Sequence, residues 1–183
     1  MEVLPDIVGP EPIIVFCGMA GAESTKTREH YYASPGNNFW ECLHLSGLTP
    51  RRLRPDEDHT VVDLGLGLTD LVGHWNHETN RGWVEIDLLV AAVERWEPAF
   101  LAFTAKGTAG YAARALGHRV PGLGLTGWGI GTSEVFVLPG TSGANQRKDY
   151  DGRPNRLAWW RELAALAAPE LRDTPVLGGP DRL

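Results

Sequence analysis

The chain has 183 residues, with 17 Lys and Arg against 23 Asp and Glu for a formal charge of −6, and is 43% apolar and 22% charged. This composition is that of one ordinary globular domain, able to remove roughly 70% of its unfolded surface from water without metal or disulfide staples. The acidic balance argues against a sequence-independent nucleic-acid coat, because phosphate neutralisation needs clustered cations. Two cysteines, Cys17 and Cys42, are too few for a disulfide framework and point to a reducing cytoplasm. The opening MEVLPDIVGPEP has no basic leader and no apolar run approaches the length of a membrane span, so a chain free of the bilayer is expected.

Apolar runs bounded by Gly and Pro alternate with segments of helical period, which predicts an α/β fold with crossover helices on a mainly parallel sheet. Ile13, Ile14, Val15, Phe16 and Cys17 form a β-branched run that ends at Gly18 and reads as a buried first strand. Phe39, Cys42 and Leu43 then fall at i, i+3 and i+4, with Asn37 as the expected N-cap and Gly47 as the stop. Val61, Val62 and Leu64 lead into Gly65-Leu66-Gly67-Leu68 as a second strand or extended approach, on which Asp63 precedes the glycines. Ile86, Leu89, Val93 and Trp96 mark a helix ended by Pro98, and Phe100, Leu101, Ala102 and Phe103 a third strand. A short helix follows, with Lys106 in the loop before it and Gly117 at its end. Residues 134–139 alternate as a last strand, residues 156–168 form an amphipathic terminal helix, and the tail beyond Pro175 is expected to fray.

Ligands of open α/β sheets sit beyond the carboxyl ends of the strands. Four loops qualify, at 18–35, 69–82, 106–108 and 140–155, and they hold the unusual residues. The small residues of Gly18-Met19-Ala20-Gly21-Ala22 allow backbone N–H groups to approach a ligand, although the loop matches neither a Walker nor a dinucleotide fingerprint. Of the adjacent Tyr31 and Tyr32, one can pack in the core while the other faces the cleft, where an aromatic ring stacks on a base for about 1 to 3 kcal/mol. Thr69 and Asp70 follow the second glycine-rich segment. Residues 147–161 carry five cations against two aspartates, either a solvated helix face or a phosphate-facing edge.

Taken in order, FCGMAGAES, YYASPGNNFWECLHLSGLTP, GLGLTDLV and VLPGTSGAN resemble the mismatch-specific uracil/thymine DNA glycosylases of the uracil-DNA glycosylase superfamily, over residues 16–143. The resemblance implies a single three-layer α/β/α domain with a short, mainly parallel central sheet. It also implies a monofunctional hydrolase of N-glycosidic bonds that acts as a monomer on DNA with a damaged or mismatched base. Uracil opposite guanine is the first expectation.

The chain departs from the family pattern at two places: the catalytic Asn of the first motif falls on Ala20 and its Pro on Gly21, and the Asn or Ser that opens the last loop falls on Gly140. The spelling Gly18-x-Ala20-x-Ala22 is similar to type B uracil-DNA glycosylases, which have Ala there and use a downstream Asp. Asp70 is then the expected catalytic carboxylate. An ionised carboxylate can stabilise an oxocarbenium-like sugar and orient water, while backbone N–H groups of the 18–22 loop, Met19 included, take the charge of the leaving base. Neither metal nor organic cofactor is required.

By the same resemblance Tyr32 occupies the base-stacking position, and Asn37 acts as helix cap or in positioning the pocket. Thr141, Ser142, Gly143, Ala144 and Asn145 form the loop that enters the duplex, with Gln146 or Arg147 as a substitute plug for the small Ala144. Lys106, Arg147 and Lys148 are candidate phosphate contacts. Asp63 and Glu23 are the rival carboxylates. His74 and His77 have a spacing that suits a metal but no completing ligand, and Ser142 lacks the flanks of a nucleophile elbow. Two other readings stay open: a catalytically silent DNA-binding or damage-sensing module, and an enzyme on free nucleosides or nucleotides.

Overall fold

The structure is a computed structural model that describes residues 4–19, 29–71, 74–76, 81–83, 86–145 and 148–172. Its central sheet has the order β2-β1-β5-β7-β6. The strands β1 (Ile14–Gly18), β2 (Leu66–Asp70), β5 (Phe100–Phe103) and β7 (Ser133–Val137) are parallel, and β6 (Gly124–Ile130) runs antiparallel at the edge. A separate antiparallel pair is made by β3 (His74–Asn76) and β4 (Arg81–Trp83).

Alternation along the strands divides the core into two layers. Ile14 and Phe16 face one side and pack with Phe39 and Trp40 of α1 (Phe39–Leu45) and Trp160 and Leu163 of α4 (Arg156–Arg172). Val15 and Cys17 face the other, with Leu89 and Val93 of α2 (Ile86–Trp96) and Ala109 and Ala112 of α3 (Lys106–Ala115). Because both faces are covered, all five residues of β1 are buried, which is why the strand reads as an uninterrupted apolar run. Phe16 stacks on Trp160 at 5.6 Å and meets Phe39 edge-on at 5.5 Å. Each ring contributes about 1.5 to 3 kcal/mol by burial, and together they form a rigid floor under the carboxyl end of β1. No helix among the described residues is long and apolar enough to cross a membrane.

The three-layer α/β/α architecture is the one expected, and several boundaries differ. Residues 61–64 do not lead into β2 as a strand: they close a 3-10 helix (Pro55–Leu64) whose capping residue, Gly65, has φ +72. Asp63 is therefore helical and exposed, not on an extended segment. The N-cap of α1 is Asn38; Asn37, one residue earlier, accepts the Phe39 N–H on Oδ1 at 2.9 Å, so the side chain begins the turn without being the cap. Lys106 is the first residue of α3 and not part of a loop. The terminal helix runs on to Arg172, and the tail beyond Pro175 lies outside the described residues.

Candidate functional site

β1 and β2 pair in register Gly18↔Asp70, so the last residues of two adjacent parallel strands end side by side at one rim of the sheet. The Leu71 N–H donates to the Gly18 carbonyl at 2.7 Å and fixes the chain as it leaves β2. Parallel pairing thus aims the Asp70 carboxylate over the residue that opens the glycine-rich loop. A Cβ on Gly18 would lie 2.9 Å from Asp70 Oδ1, 3.0 Å from the Tyr32 hydroxyl and 3.5 Å from Thr104 Oγ1. Three oxygens from three segments converge on the space a side chain would fill, and Asp70 Oδ1 and the Tyr32 hydroxyl are less than about 6 Å apart. Glycine at 18 is a matter of room.

Tyr32 reaches this place at a backbone cost. Its φ is +52, a left-handed conformation that costs a non-glycine residue about 1 to 2 kcal/mol. Surrounding contacts hold it there. Its ring stacks on Phe39 with centroids 3.8 Å apart and planes 8° from parallel, and its hydroxyl bonds Thr104 Oγ1 at 3.0 Å. The preceding Tyr31 is buried, donates its hydroxyl to the Pro5 carbonyl, and has its own carbonyl bonded by the indole N–H of Trp40. Asp58, buried in the 3-10 helix, accepts the Tyr31 N–H at 3.1 Å and lies 3.3 Å from His30 Nδ1. The expected division of labour between the two tyrosines is what the structure has: one in the core, one at the rim.

Asp58 carries no sequence signal of its own, and Thr104 a faint one. Thr104 directly follows a four-residue apolar strand, and the only cue is a hydroxyl residue at the carboxyl end of a parallel strand, where sites form. The hydroxyl of Thr104 also lies 3.4 Å from the Cys17 carbonyl, and its N–H donates to that carbonyl at 3.0 Å. The Cys17 thiol faces the other core layer. Burial, then the charges of Asp70 and Asp6, hold its pKa well above the ordinary range, so it stays a protonated packing residue.

Of the rival carboxylates, Asp63 precedes β2 and so lies at the opposite end of that strand from Asp70. Glu23 lies outside the described residues, as do Ala20, Gln146 and Arg147. Met19 is half-buried with its side chain against the α2 and α3 layer, which leaves its backbone at the rim. Of the two histidines, His77 lies outside the described residues and only the backbone of His74 is described, in β3. Among the described residues no group of three or more His, Cys, Asp or Glu could hold a metal ion.

The loop at 140–145 is built against the turn before α1. The Asn38 N–H donates to the Thr141 carbonyl at 2.8 Å, and Gly143 packs so closely that a Cβ there would lie 2.7 Å from the Gly36 carbonyl oxygen. Asn145 folds back, its Nδ2 donating to the Gly140 carbonyl at 3.1 Å, and Ser142 and Ala144 are left exposed. Lys148 is exposed as well. Lys106 is partly exposed and paired. Its Nζ pairs with Asp151 at 2.6 Å at the edge of a cavity of about 190 Å³ that Gly140, Asn145 and Tyr150 also line. The second oxygen of Asp151 accepts the Leu123 N–H at 2.8 Å.

The model of the "Uracil DNA glycosylase superfamily" matches residues 5–164. The fold is similar to the solution NMR structure of a candidate uracil DNA glycosylase from Methanosarcina acetivorans, with a TM-score of 0.58 and 20% identity over 90% of this chain and 96% of that one. The match spans every strand of the central sheet and all residues of the Gly18, Tyr32, Asp70 and Thr104 cluster. This chain belongs to the uracil DNA glycosylase superfamily.

Proposed function

We propose that the protein is a monofunctional DNA glycosylase of base excision repair that hydrolyses the N-glycosidic bond of deaminated bases, uracil opposite guanine first, with Asp70 as its catalytic carboxylate. The observation that carries this reading is the convergence of Asp70 Oδ1 and the Tyr32 hydroxyl on the space above Gly18. Superfamily membership supports a DNA substrate.

The chemistry follows from what each group can do. Excision passes through a sugar with oxocarbenium character, and a half-buried anion beside it is worth more than one in water. Asp70 holds a water for attack on C1′ and stabilises the sugar cation. As the C1′–N bond breaks, its electron pair leaves with the base, and the attacking water loses its proton to Asp70. Negative charge that develops on the base is met by the backbone N–H of Met19. This division of work replaces the amide that Ala20 lacks, and no group need be recruited from outside the protein.

The ring of Tyr32 supports base stacking. Phe39 stacks on one face of it, and the hydroxyl bond to Thr104 fixes the tilt of the ring. A preset ring lowers the entropy lost on binding an extruded base. The 140–145 loop fills the gap an extruded base leaves, a role supported by its bracing on Asn38 and Gly36 and by the exposure of Ser142 and Ala144.

The test is a panel of oligonucleotides bearing uracil, thymine, hypoxanthine, xanthine or ethenocytosine, single-stranded and opposite each base, treated with the protein and then with alkali. Release of uracil, with strand cleavage only after alkali, supports the reading. Binding without base release from any member would assign the chain to a silent damage-sensing module, and release from free nucleosides at an equal rate to an enzyme of the nucleoside pool.

A further inference from the structure

A cleft of about 300 Å³ adjoins the cluster described above and shares Tyr32 with it. One wall is the turn that carries Tyr32, with Ser34 and Asn37, and is closed by Trp40; the other is the segment that carries Arg52 and Arg54. This segment holds three arginines in four residues, in a chain that is acidic overall. They are not equivalent. Arg51 spends both terminal nitrogens on Glu57, at 3.0 and 2.7 Å, and Arg54 donates Nε to Asp56 at 3.0 Å. Arg52 makes no side-chain hydrogen bond among the described residues, and its one ion pair is a loose contact of 3.7 Å with Glu41, in which the side chains are 58% and 45% exposed. Such a pair contributes little and is readily exchanged for a better anion.

We propose that this cleft is a phosphodiester subsite, with Arg52 on a phosphate of the strand that flanks the nucleotide seated at Asp70. The inference rests on the proposed DNA substrate. A nucleotide held above Gly18 stays bonded to a neighbour on each side, so its strand must leave the site along two paths. The 140–145 loop borders one, and the cleft opens directly from Tyr32 on another. A guanidinium with unspent donors matches phosphate geometry, and the neighbouring pairs with Glu57 and Asp56 stiffen the segment that presents it. Glu41 competes with the phosphate for Arg52 and so sets the affinity of the subsite.

Fluorescence anisotropy with a single-stranded oligonucleotide carrying an uncleavable tetrahydrofuran abasic analogue reads the subsite without requiring catalysis. Over about 50 to 200 mM salt, Arg52→Ala flattens the slope of log affinity against log salt by about 0.7, the value for one phosphate contact on a single strand. It weakens binding about fivefold at the low end, and Arg51→Ala leaves the slope unchanged. Glu41→Gln tightens binding, a gain that no folding defect can produce. Removing the nucleotides on one side of the analogue abolishes the difference between Arg52→Ala and the unaltered chain. An unchanged slope in Arg52→Ala overturns the subsite, even if the protein excises uracil. The predicted slope change in a chain that releases no base instead upholds the subsite and overturns the hydrolase reading.

Discussion

Gly18 and Asp70 are register partners on adjacent parallel strands, and a methyl group on the first would lie 2.9 Å from Oδ1 of the second. The contact that makes glycine necessary is with the carboxylate assigned to catalysis, not with the core. Gly18→Ala should therefore fold, with a shift in melting temperature of a few degrees, while single-turnover uracil release falls by about 100-fold or more as the carboxylate and the Tyr32 hydroxyl are pushed aside. Thermal melts beside rates check it: an equal loss in both would mean that the glycine serves packing alone.

Thr104 anchors the Tyr32 hydroxyl from a buried position. Thr104→Val keeps the shape and removes the bond, at a cost of about 1 to 3 kcal/mol if the phenol is left unpaired. The expected result is a fall in kcat of about tenfold with a smaller change in KM, and recovery in Thr104→Ser. A valine variant that loses stability but not kcat would make Thr104 structural.

The sequence announces most of the sheet because buried parallel strands leave a plain mark. The runs at residues 14–17 and 100–103 are apolar on both faces, and the helices between them keep their period. Strand β6 escapes notice because three glycines and a bulge between Leu125 and Gly129 break its alternation. The 3-10 helix at Pro55–Leu64 hides behind Val61 and Val62, whose β-branched side chains suggest a strand; Pro55 at its first turn and the Glu57 carboxylate on the Arg54 N–H start the turn instead. Asp70 and Tyr32 can be singled out because resemblance points to them. The Thr104 and Asp58 contacts join residues 72 and 27 positions apart, and no local pattern encodes such pairings. Lys106, the expected phosphate contact, has a partner that sequence did not reveal, Asp151.

That pair yields its own prediction. Asp151 has φ +53, a conformation Asn also tolerates, so Asp151→Asn can keep the turn and the bond from Leu123 while removing the charge that holds Lys106. If Lys106 contacts phosphate, affinity for DNA should rise up to about fivefold, the scale of an exposed ion pair, and depend more steeply on salt. Titration of a uracil-free duplex at two salt concentrations checks this. Unchanged affinity would leave Lys106 with a purely structural pairing.

Acid titration tests the stiffness of the arginine segment. The Arg51 guanidinium and the Arg54 N–H hold the Glu57 carboxyl at about 2, below its ordinary 4.5. A folded-state value below the unfolded one means that the stabilisation is present above about 4.5 and is lost as pH falls through about 2. Carboxyl NMR should find Glu57 titrating near 2, and Arg51→Ala should move it back toward 4.5. A Glu57 that titrates at its ordinary value in the unaltered protein would mean the pair does not persist in solution.

The most direct measurement compares single-turnover release of uracil from a G:U duplex by the unaltered protein and by Asp70→Asn, which keeps the size and hydrogen-bonding reach of the side chain but not its charge. With Asp70 as the anion that stabilises the sugar and takes the proton from water, the rate falls by about 100-fold to 10,000-fold while DNA binding persists. An Asp70→Asn protein that releases uracil at the unaltered rate would contradict the assignment.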